Sequence, residues 1–388
     1  MKKIPYATQW IDSGDIKAVS TALKSPFLTQ GPAVGAFERA VAEYCGVKFA
    51  VAVNSGTSAL HIACLAAGAG KGDEGITTPV SFAASANCML YCGVKPVFAD
   101  IDPGTFCVDP LEIEKKITKR TKLIIPVHFG GLPCDMENIH KIAKRRGITI
   151  IEDACHAIGA EYKGEKIGSC RYSDMTVLSF HAVKHITTGE GGMVLTNKKD
   201  LYNKLLMFRT HGITRDPRLL TENPGGWYYE MHELGYNYRI TDIQCALGIS
   251  QLKKLNKFVG IRRKIAGKYD KAFETQEGLN IQSNFPRSRS SYHIYPVILD
   301  LDRIKATRAK VFREYRDKGI LVNVHYLPIY RHPYYQRLGY RNVRCPNAEE
   351  YYKRTITLPL YPKMSKADIN RVINATNNIL NKYKKRYV

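Results

Sequence analysis

The sequence has 388 residues, 44% hydrophobic and 24% charged, which is typical of a water-soluble globular protein of one to three domains. No stretch is apolar for long enough to cross a bilayer, and the N-terminal MKKIPYATQW lacks the apolar core of a secretory signal. The net charge of +23 would suit nucleic acid, an anionic membrane or a small anionic substrate. Ten cysteines without a pairing pattern indicate reduced thiols in the cytoplasm, and neither they nor the histidines show the spacing of a metal site.

The basic residues come in short clusters. These are Lys119-Arg120-Lys122, Lys144-Arg145-Arg146, Arg262-Arg263-Lys264 and the tail Lys382 to Arg386. The clusters fall in separate helix-like segments, without the interleaved aromatic side chains of a nucleic-acid-binding stripe. This pattern favours solvated helix faces and a disordered tail. We therefore expect no nucleic acid and no membrane as a partner, with a basic nucleic-acid-binding protein as an alternative.

The first part of the chain alternates strand-like and helix-like segments. After an arm at 1–12, helical spacing begins at Ser13, and a second helix is predicted at 33–45. Strands are predicted at 48–53, 76–80, 95–101, 122–128, 148–152, 175–180 and 192–196. Helices between the first five strands are predicted at 57–68, 82–92, 110–117 and 135–146. This alternation predicts an α/β fold with a large, mostly parallel sheet covered by helices on both faces.

The remainder of the chain has the pattern of a second, smaller α+β domain. Its predicted elements are a long joining helix at 243–275, strands at 292–299 and 320–326, a helix at 304–318, and a final helix opened by Ser365-x-x-Asp368. We divide the chain into an N-terminal arm, a large domain, and a connecting helix with the small C-terminal domain. The corresponding ranges are 1–12, 13–245 and 246–388.

Ligands of parallel sheets bind beyond the carboxyl ends of the strands, and one such end carries a lysine. Lys184 lies in DMTVLSFHAVKHITTGEGG (174–192), just after the buried run 175–180. Lost hydration there would lower the pKa of its amine and leave a nucleophile toward aldehydes. The aldehyde that proteins most often hold in this way is pyridoxal phosphate, PLP. The alternative is a surface lysine without a function, so the hypothesis needs support from other strand ends.

Other strand ends supply that support. The turn Asn54–Ser58 feeds a helix and could cradle an anion, although a plain N-cap explains it as well. Phe82 could stack on a planar ligand or be a core aromatic that opens a helix. Glu152 or Asp153 could pair with a protonated pyridine nitrogen or cap the next helix, and strand alternation lets only one of them point inward. With Ser179 and the lysine, these residues favour one planar, phosphorylated aldehyde as the cofactor.

The motifs NSGTSAL, TPVSF, VFADID, EDACHA, SFHAVKHITTGEGG and GYNYRITDIQCALG occur in this order and resemble the DegT/DnrJ family of PLP-dependent sugar-nucleotide aminotransferases. The similarity runs from LTQGP at 28–32 to the C-terminal domain. It implies the aspartate aminotransferase type I fold, PLP as the cofactor and a homodimer with shared active sites. SFHAVKHITTGEGG and VHYLPIY (324–330) are similar in particular to members of pseudaminic acid biosynthesis. The implied reaction transfers an amino group from glutamate, releasing 2-oxoglutarate, to C4 of a UDP-linked 4-keto-6-deoxy-N-acetyl-hexosamine.

The resemblance also implies a role for each matching residue. Lys184 would bind the cofactor's aldehyde and move the proton, and Asp153 would bind the pyridine nitrogen. The other implied cofactor-binding residues are Gly56, Thr57, Ser58, Phe82, His156 and Ser179, with Asn237 and Arg239 reaching across the dimer interface. The implied substrate-binding residues are Tyr6, Phe27, Leu28, Thr29, Gly56, Ser179, Asn237, His325 and Tyr326.

Several alternatives stay open within this resemblance. A PLP protein that keeps the lysine could be a regulator or a sugar-modifying partner without transaminase activity. A related aminotransferase could act on a UDP-4-keto sugar of bacillosamine or aminoarabinose type. One branch of the family replaces the lysine by histidine and dehydrates sugars, and Lys184 disfavours that branch. The segment 214–232 has no recognisable motif, and we expect it to be an interface or substrate loop.

Overall fold

A computed structural model describes residues 2–385 of the chain. The strands are β1 (Ile4–Pro5), β2 (Phe49–Val53), β3 (Glu74–Thr77), β4 (Lys95–Phe98), β5 (Thr121–Ile125), β6 (Thr149–Asp153), β7 (Glu161–Tyr162), β8 (Glu165–Lys166), β9 (Met175–Ser179), β10 (Gly192–Thr196), β11 (Ile213–Thr214), β12 (Glu230–Met231), β13 (Leu279–Ile281), β14 (Ser288–Arg289), β15 (Tyr295–Leu299), β16 (Ile320–Leu321) and β17 (Thr355–Leu358).

The helices surround these strands. They are α1 (Ser13–Leu23), α2 (Pro32–Cys45), α3 (Gly56–Ala66), α4 (Ala84–Tyr91), α5 (Pro110–Lys116), α6 (Met136–Arg146), α7 (Lys199–Arg209), α8 (Asp242–Leu252), α9 (Leu255–Phe273), α10 (Arg308–Asp317), α11 (Pro333–Arg337), α12 (Pro346–Arg354) and α13 (Lys366–Tyr383). Among residues 2–385, none of them is both long and apolar enough to cross a membrane.

The largest sheet has seven strands in the order β2-β10-β9-β6-β5-β3-β4. β10 runs antiparallel to both of its neighbours, and the other strand pairs are parallel. Every residue of β9 and β10 is buried, because helices cover both faces of the sheet. The predicted α/β fold with a mostly parallel sheet is confirmed.

The antiparallel strand β10 explains why no helix is needed between β9 and β10. A parallel neighbour would require a crossover, whereas an antiparallel one can be reached by a short turn. The turn is residues 180–191, and it carries Lys184 at the edge of the sheet where the parallel strands end.

A second hydrophobic cluster surrounds the three-stranded sheet β13-β15-β17. It contains residues of α9, α10 and α13, and Ile4 of the N-terminal arm is buried in it. Ile294 and Tyr351, however, belong to the larger cluster around the seven-stranded sheet. The division of the chain at residue 246 stays a prediction.

Three predictions about the second half of the chain are wrong in detail. The long helix at 243–275 is two helices, α8 and α9, separated by Lys253 and Lys254. The strand at 320–326 is only the two residues of β16, because a turn follows and Asn323 then bridges to Thr357. The basic tail is ordered as far as it is described, since α13 reaches Tyr383; Arg386 lies outside the described residues.

Candidate active site

The turn between β9 and β10 holds Lys184 in place through backbone hydrogen bonds. The N–H of Phe180 donates to the carbonyl of Gly191 at 2.8 Å, and the N–H of Thr188 donates to the carbonyl of Phe180 at 3.0 Å. The N–H of Lys184 itself donates to the carbonyl of His181 at 2.9 Å. The backbone on both sides of the lysine is therefore fixed relative to the sheet.

The amino group of Lys184 lies in a poorly solvated position. The residue is half-buried, and burial is the main cause that lowers the pKa of its amine, while Cys155 and Asp153 act in the opposite direction. Within residues 2–385 the amine has no hydrogen-bond or ion-pair partner. A lysine in this state is suited to bond covalently with an aldehyde.

Asp153 ends β6 and is buried beside the lysine turn. Its carboxylate accepts a hydrogen bond of 2.6 Å from the hydroxyl of Ser85 and one of 3.1 Å from the N–H of Cys155. Glu152 is also buried but makes a different set of contacts, with His128 Nε2 at 2.7 Å from its carboxylate. Strand alternation thus places the two acids on opposite faces, and Asp153 is the one that can serve a ligand beside Lys184.

The glycine turn after β2 opens α3. Ser55 is the N-cap of this helix, and its hydroxyl accepts a hydrogen bond of 3.0 Å from the N–H of Ser58. The hydroxyl of Ser58 in turn donates to Asn54 at 2.7 Å, so it is engaged within the turn. Thr57 and the free backbone N–H groups of the first helical turn remain as donors for an anion.

Gly56 packs directly against the end of β9. A Cβ added at Gly56 would lie 3.0 Å from the Cβ of Ser179 and 3.3 Å from the Sγ of Cys155. A side chain at this position would fill the space in front of the helix N-terminus. The glycine therefore keeps the space in front of the helix N-terminus open and lies next to Ser179.

An aromatic group borders the site on the other side. The ring of Tyr326 lies 6.2 Å from that of His156, 6.5 Å from that of Phe82 and 4.7 Å from that of His325. The ring of Tyr6 lies 5.4 Å from that of His325. Phe82 is 63% exposed, which excludes its alternative interpretation as a core aromatic. Five predicted residues from four segments of the chain therefore form one continuous group of rings: Tyr6, Phe82, His156, His325 and Tyr326.

Five other predicted residues make their contacts elsewhere. They are Phe27, Leu28, Thr29, Asn237 and Arg239. Thr29 pairs with Thr241 at the start of α8, and Asn237 pairs with Thr210 at the end of α7. Arg239 lines a cleft of about 270 Å³ beside α2 and α7. Within residues 2–385, no described hydrogen bond or ring contact joins these five to Lys184.

The sequence analysis did not predict that His293 and Arg262 lie next to the candidate site. The ring of His293 lies 4.4 Å from that of His156 and 5.6 Å from that of His185. Arg262 is fully buried beside them and donates to three carbonyls, among them that of His293, and burial lowers its pKa to about 9. These residues come from three distant segments, so no local spacing could reveal them.

The residues present fit PLP. An amine without a partner lies beside a buried carboxylate, and a helix N-terminus with an open glycine turn lies across the same strand ends. The Nδ1 of His156 is buried without a partner among the described residues and offers one more polar contact. The site thus has a suitable group for each part of PLP: its planar ring, its phosphate, its pyridine nitrogen and its aldehyde.

The sequence model of the DegT/DnrJ/EryC1/StrS aminotransferase family matches residues 9–377. The chain belongs to this family. A UDP-4-amino-4,6-dideoxy-N-acetyl-beta-L-altrosamine transaminase of Campylobacter jejuni is 41% identical to it, over 99% of both chains. Membership confirms that the protein is a transferase of the PLP-dependent sugar aminotransferase class.

Solved structures support the same assignment. PseC of Helicobacter pylori, an aminotransferase involved in pseudaminic acid biosynthesis, is similar with a TM-score of 0.91 and 34% identity, over 98% of this chain and all of PseC. The PLP form of the putative sugar aminotransferase Spr1654 of Streptococcus pneumoniae is similar with a TM-score of 0.90 and 30% identity, over 98% and 99% of the chains. The predicted aspartate aminotransferase type I fold and the cofactor PLP are confirmed for this DegT/DnrJ/EryC1/StrS member.

Proposed function

We propose that this aminotransferase moves an amino group from glutamate to the C4 ketone of a UDP-4-keto-6-deoxy-N-acetyl-hexosamine, as in pseudaminic acid biosynthesis. The observation that carries the chemistry is the unpaired amine of Lys184 beside the buried carboxylate of Asp153. The similarity to enzymes named for UDP-linked 4-amino sugars, over nearly the whole chain, supports the substrate class.

Lys184 and Asp153 have separate tasks in this proposal. When bound, PLP supplies an aldehyde that captures amines and a ring that draws electrons from the adjacent carbon. Asp153, which Ser85 and the N–H of Cys155 hold in orientation, would bind the pyridine nitrogen and favour its protonated form. Lys184 would hold the aldehyde through its amine and would act as the base and acid that moves a proton at the reacting carbon.

Residues at the ends of other strands supply the remaining proposed contacts with the cofactor. Thr57 and the backbone at Gly56 bind the phosphate together with Ser179, and the first turn of α3 contributes its N–H groups. Ser58 stabilises that turn through its hydrogen bond to Asn54. Phe82 and His156 would contact the ring, and the Nδ1 of His156, which is buried without a partner among the described residues, would offer it a polar contact.

The proposed sugar site is neutral. Tyr6, His325 and Tyr326 line it, and burial lowers the pKa of His325 to about 4 and raises that of Tyr326. At neutral pH the imidazole and the phenol are therefore both uncharged. Uncharged hydroxyl and imidazole groups suit the hydroxyl and carbonyl groups of a sugar, which need hydrogen bonds rather than charge.

The remaining predicted residues support a homodimer with shared sites. Phe27, Leu28, Thr29, Asn237 and Arg239 would complete the site of the neighbouring copy. The segment 214–234 beside them exposes large apolar side chains, with Trp227 74% and Leu234 77% exposed. Patches of this kind are typical of protein interfaces. The ten free cysteines and the use of a UDP-linked substrate favour the cytoplasm as the compartment.

A spectrum of the purified enzyme tests the proposal first. With PLP added, we expect a visible absorbance band that disappears when glutamate donates its amine. Incubation of that form with UDP-4-keto sugars of different configuration, and NMR of the product, then tests the substrate. A protein that stays colourless with PLP would contradict the site, and amination of only a bacillosamine- or aminoarabinose-type sugar would contradict the substrate.

A further inference from the structure

The basic clusters that are separate in the sequence meet at one edge of the central sheet. The amino ends of its parallel strands lie together, opposite the carboxyl ends that carry the active site. Because β10 is antiparallel, its carboxyl end lies at the amino edge as well. We call this surface the basic edge, and its exposed cations are Lys48, Lys71, Lys95, Lys116, Lys119, Arg120, Lys122, Lys144, Arg145, Arg146, Lys198 and Lys199.

Direct contacts join one half of the basic edge. The N–H of Lys95 donates to the carbonyl of Asp73 at 2.9 Å, and the N–H of Glu74 donates to that of Arg120 at 2.8 Å. The carboxylate of Glu74 then binds the guanidinium of Arg120 at 2.7 Å and lies 3.7 Å from the amine of Lys95. The ends of β3, β4 and β5 are thus one continuous surface.

The other half is joined in the same way. Arg145, in the last turn of α6, binds Glu114 of α5 at 3.0 Å. Asp174 accepts a hydrogen bond of 2.8 Å from the N–H of Ile150 and binds the amine of Lys198 at 2.5 Å. These contacts connect the ends of β6, β9 and β10, so the basic edge crosses the whole sheet.

The acids on this surface do not balance its charge. The basic edge has twelve cations, against five acids, which are Asp73, Glu74, Glu114, Asp174 and Asp200. Within residues 2–385, eight of the cations have no ion-pair partner: Lys48, Lys71, Lys116, Lys119, Lys122, Lys144, Arg146 and Lys199. The surface therefore carries a net charge of +7, out of +23 for the whole chain.

This charge cannot serve the nucleotide sugar. The strands of the sheet separate the basic edge from Lys184, and a strand of five residues spans about 16 Å. Solvent-exposed charges at that range are largely screened at physiological ionic strength. The nucleotide sugar therefore does not account for the charge of the basic edge.

We propose that the basic edge docks the enzyme onto an anionic lipid bilayer. Its cations lie at six of the seven strand ends, which spread over about 30 Å of surface. Exposed lysine and arginine side chains near an anionic bilayer each strengthen binding, and clusters of four to eight are sufficient for it. Docking by this edge leaves the carboxyl ends of the strands, with Lys184, facing away from the lipid. The proposal departs from the sequence-based expectation of solvated helix faces without a membrane partner.

The aromatic side chains of the basic edge favour a bilayer over nucleic acid. The aromatic rings that contact a cation of the edge, those of Phe49 and Tyr202, are half-buried beneath the amine of Lys199, so they offer little open face on which bases could stack. Long, flexible lysine side chains are suited to a headgroup layer that has no fixed geometry.

Sedimentation with vesicles tests the proposal on the full-length enzyme. The probes are vesicles of phosphatidylcholine alone and of phosphatidylcholine with phosphatidylglycerol, at physiological salt. The test variant is K119E/K122E/R146E, which changes exposed residues without ion-pair partners. The matched control is K264E/K268E/K271E on the exposed face of α9, which changes the net charge by the same amount.

We expect the wild-type enzyme and the control to bind the anionic vesicles only, and the test variant to bind about a hundredfold more weakly. Equal losses in both variants would overturn the proposal, because net charge alone would then explain the binding. Absence of vesicle binding would also overturn it, as would retention on duplex DNA in its place. Transaminase activity of all three proteins is measured separately, so that failure of the docking proposal is distinguishable from failure of the proposed reaction.

Discussion

The hydroxyl of Ser85 donates a hydrogen bond of 2.6 Å to the carboxylate of Asp153. Because a carboxylate only accepts, the contact of 2.7 Å between the hydroxyls of Ser81 and Ser85 must have Ser81 as its donor. The three residues form a directed chain from the strand end after β3 to the acid at the end of β6. The segment that presents Phe82 thereby also orients the acid that faces Lys184.

Replacing Ser85 by alanine tests this relationship. The variant S85A removes one hydrogen bond to a charged group, which contributes about 1.5–3 kcal/mol, so we expect PLP affinity to fall about tenfold to a hundredfold. The measurement is a PLP titration followed by absorbance. The control is S81A, which leaves the bond between Ser85 and Asp153 in place and should change the affinity only a few-fold. Wild-type affinity in S85A would show that Ser85 does not position Asp153.

Replacing Lys184 by alanine separates chemistry from folding. We expect K184A to lose transamination and the visible band of the bound cofactor, because Lys184 supplies the amine that bonds with the aldehyde. Since the lysine is poorly solvated and has no partner among the described residues, its removal should leave the thermal midpoint unchanged or slightly higher. Measurable turnover in K184A would contradict the assigned role.

The sequence was sufficient for features that depend on local order. Strand and helix periods predicted the seven strands of the large sheet, and the rule that ligands bind beyond strand ends led to Lys184 and Asp153. Ser85 and His293 could not be predicted as residues of the site, because only the tertiary fold brings Ser85 to Asp153 and His293 to His156. The break between α8 and α9 could not be predicted either, since the helical spacing of apolar residues continues across it.

The buried histidines predict a loss of stability in mild acid. Burial lowers the pKa of His156, His185 and His293 well below 6.5, with the charges of Lys184 and Arg262 adding to the effect. Below pH 6.5 the unfolded chain therefore binds protons that the folded chain does not, so the free energy of unfolding falls as the pH falls. We expect the denaturation midpoint to decrease steadily from pH 7 to pH 5.

The variant H293Q tests the origin of this slope. It removes one of the titrating groups while keeping a polar side chain of similar size, so the decrease in the unfolding free energy between pH 7 and pH 5 should be shallower than in the wild type. H140Q is the control, because His140 is only partly buried and lies outside this cluster. An identical slope in H293Q and the wild-type protein would contradict a depressed pKa at His293.

The break between α8 and α9 places Lys254 where it can neutralise a buried acid. Asp15 is fully buried, and its carboxylate binds the amine of Lys254 at 2.8 Å and the amide of Gln251 at 2.8 Å. Removal of the lysine leaves that carboxylate without its cation, which typically costs about 3–5 kcal/mol in a fully buried pair and less here because Lys254 is partly exposed. We expect K254A to lower the free energy of unfolding by about 2 kcal/mol.

The control is the neighbouring Lys253. It is exposed and has no ion-pair partner among the described residues, so K253A should change stability by less than about 0.5 kcal/mol. Equal denaturation midpoints for K254A and K253A would mean that the contact between Lys254 and Asp15 does not stabilise the protein.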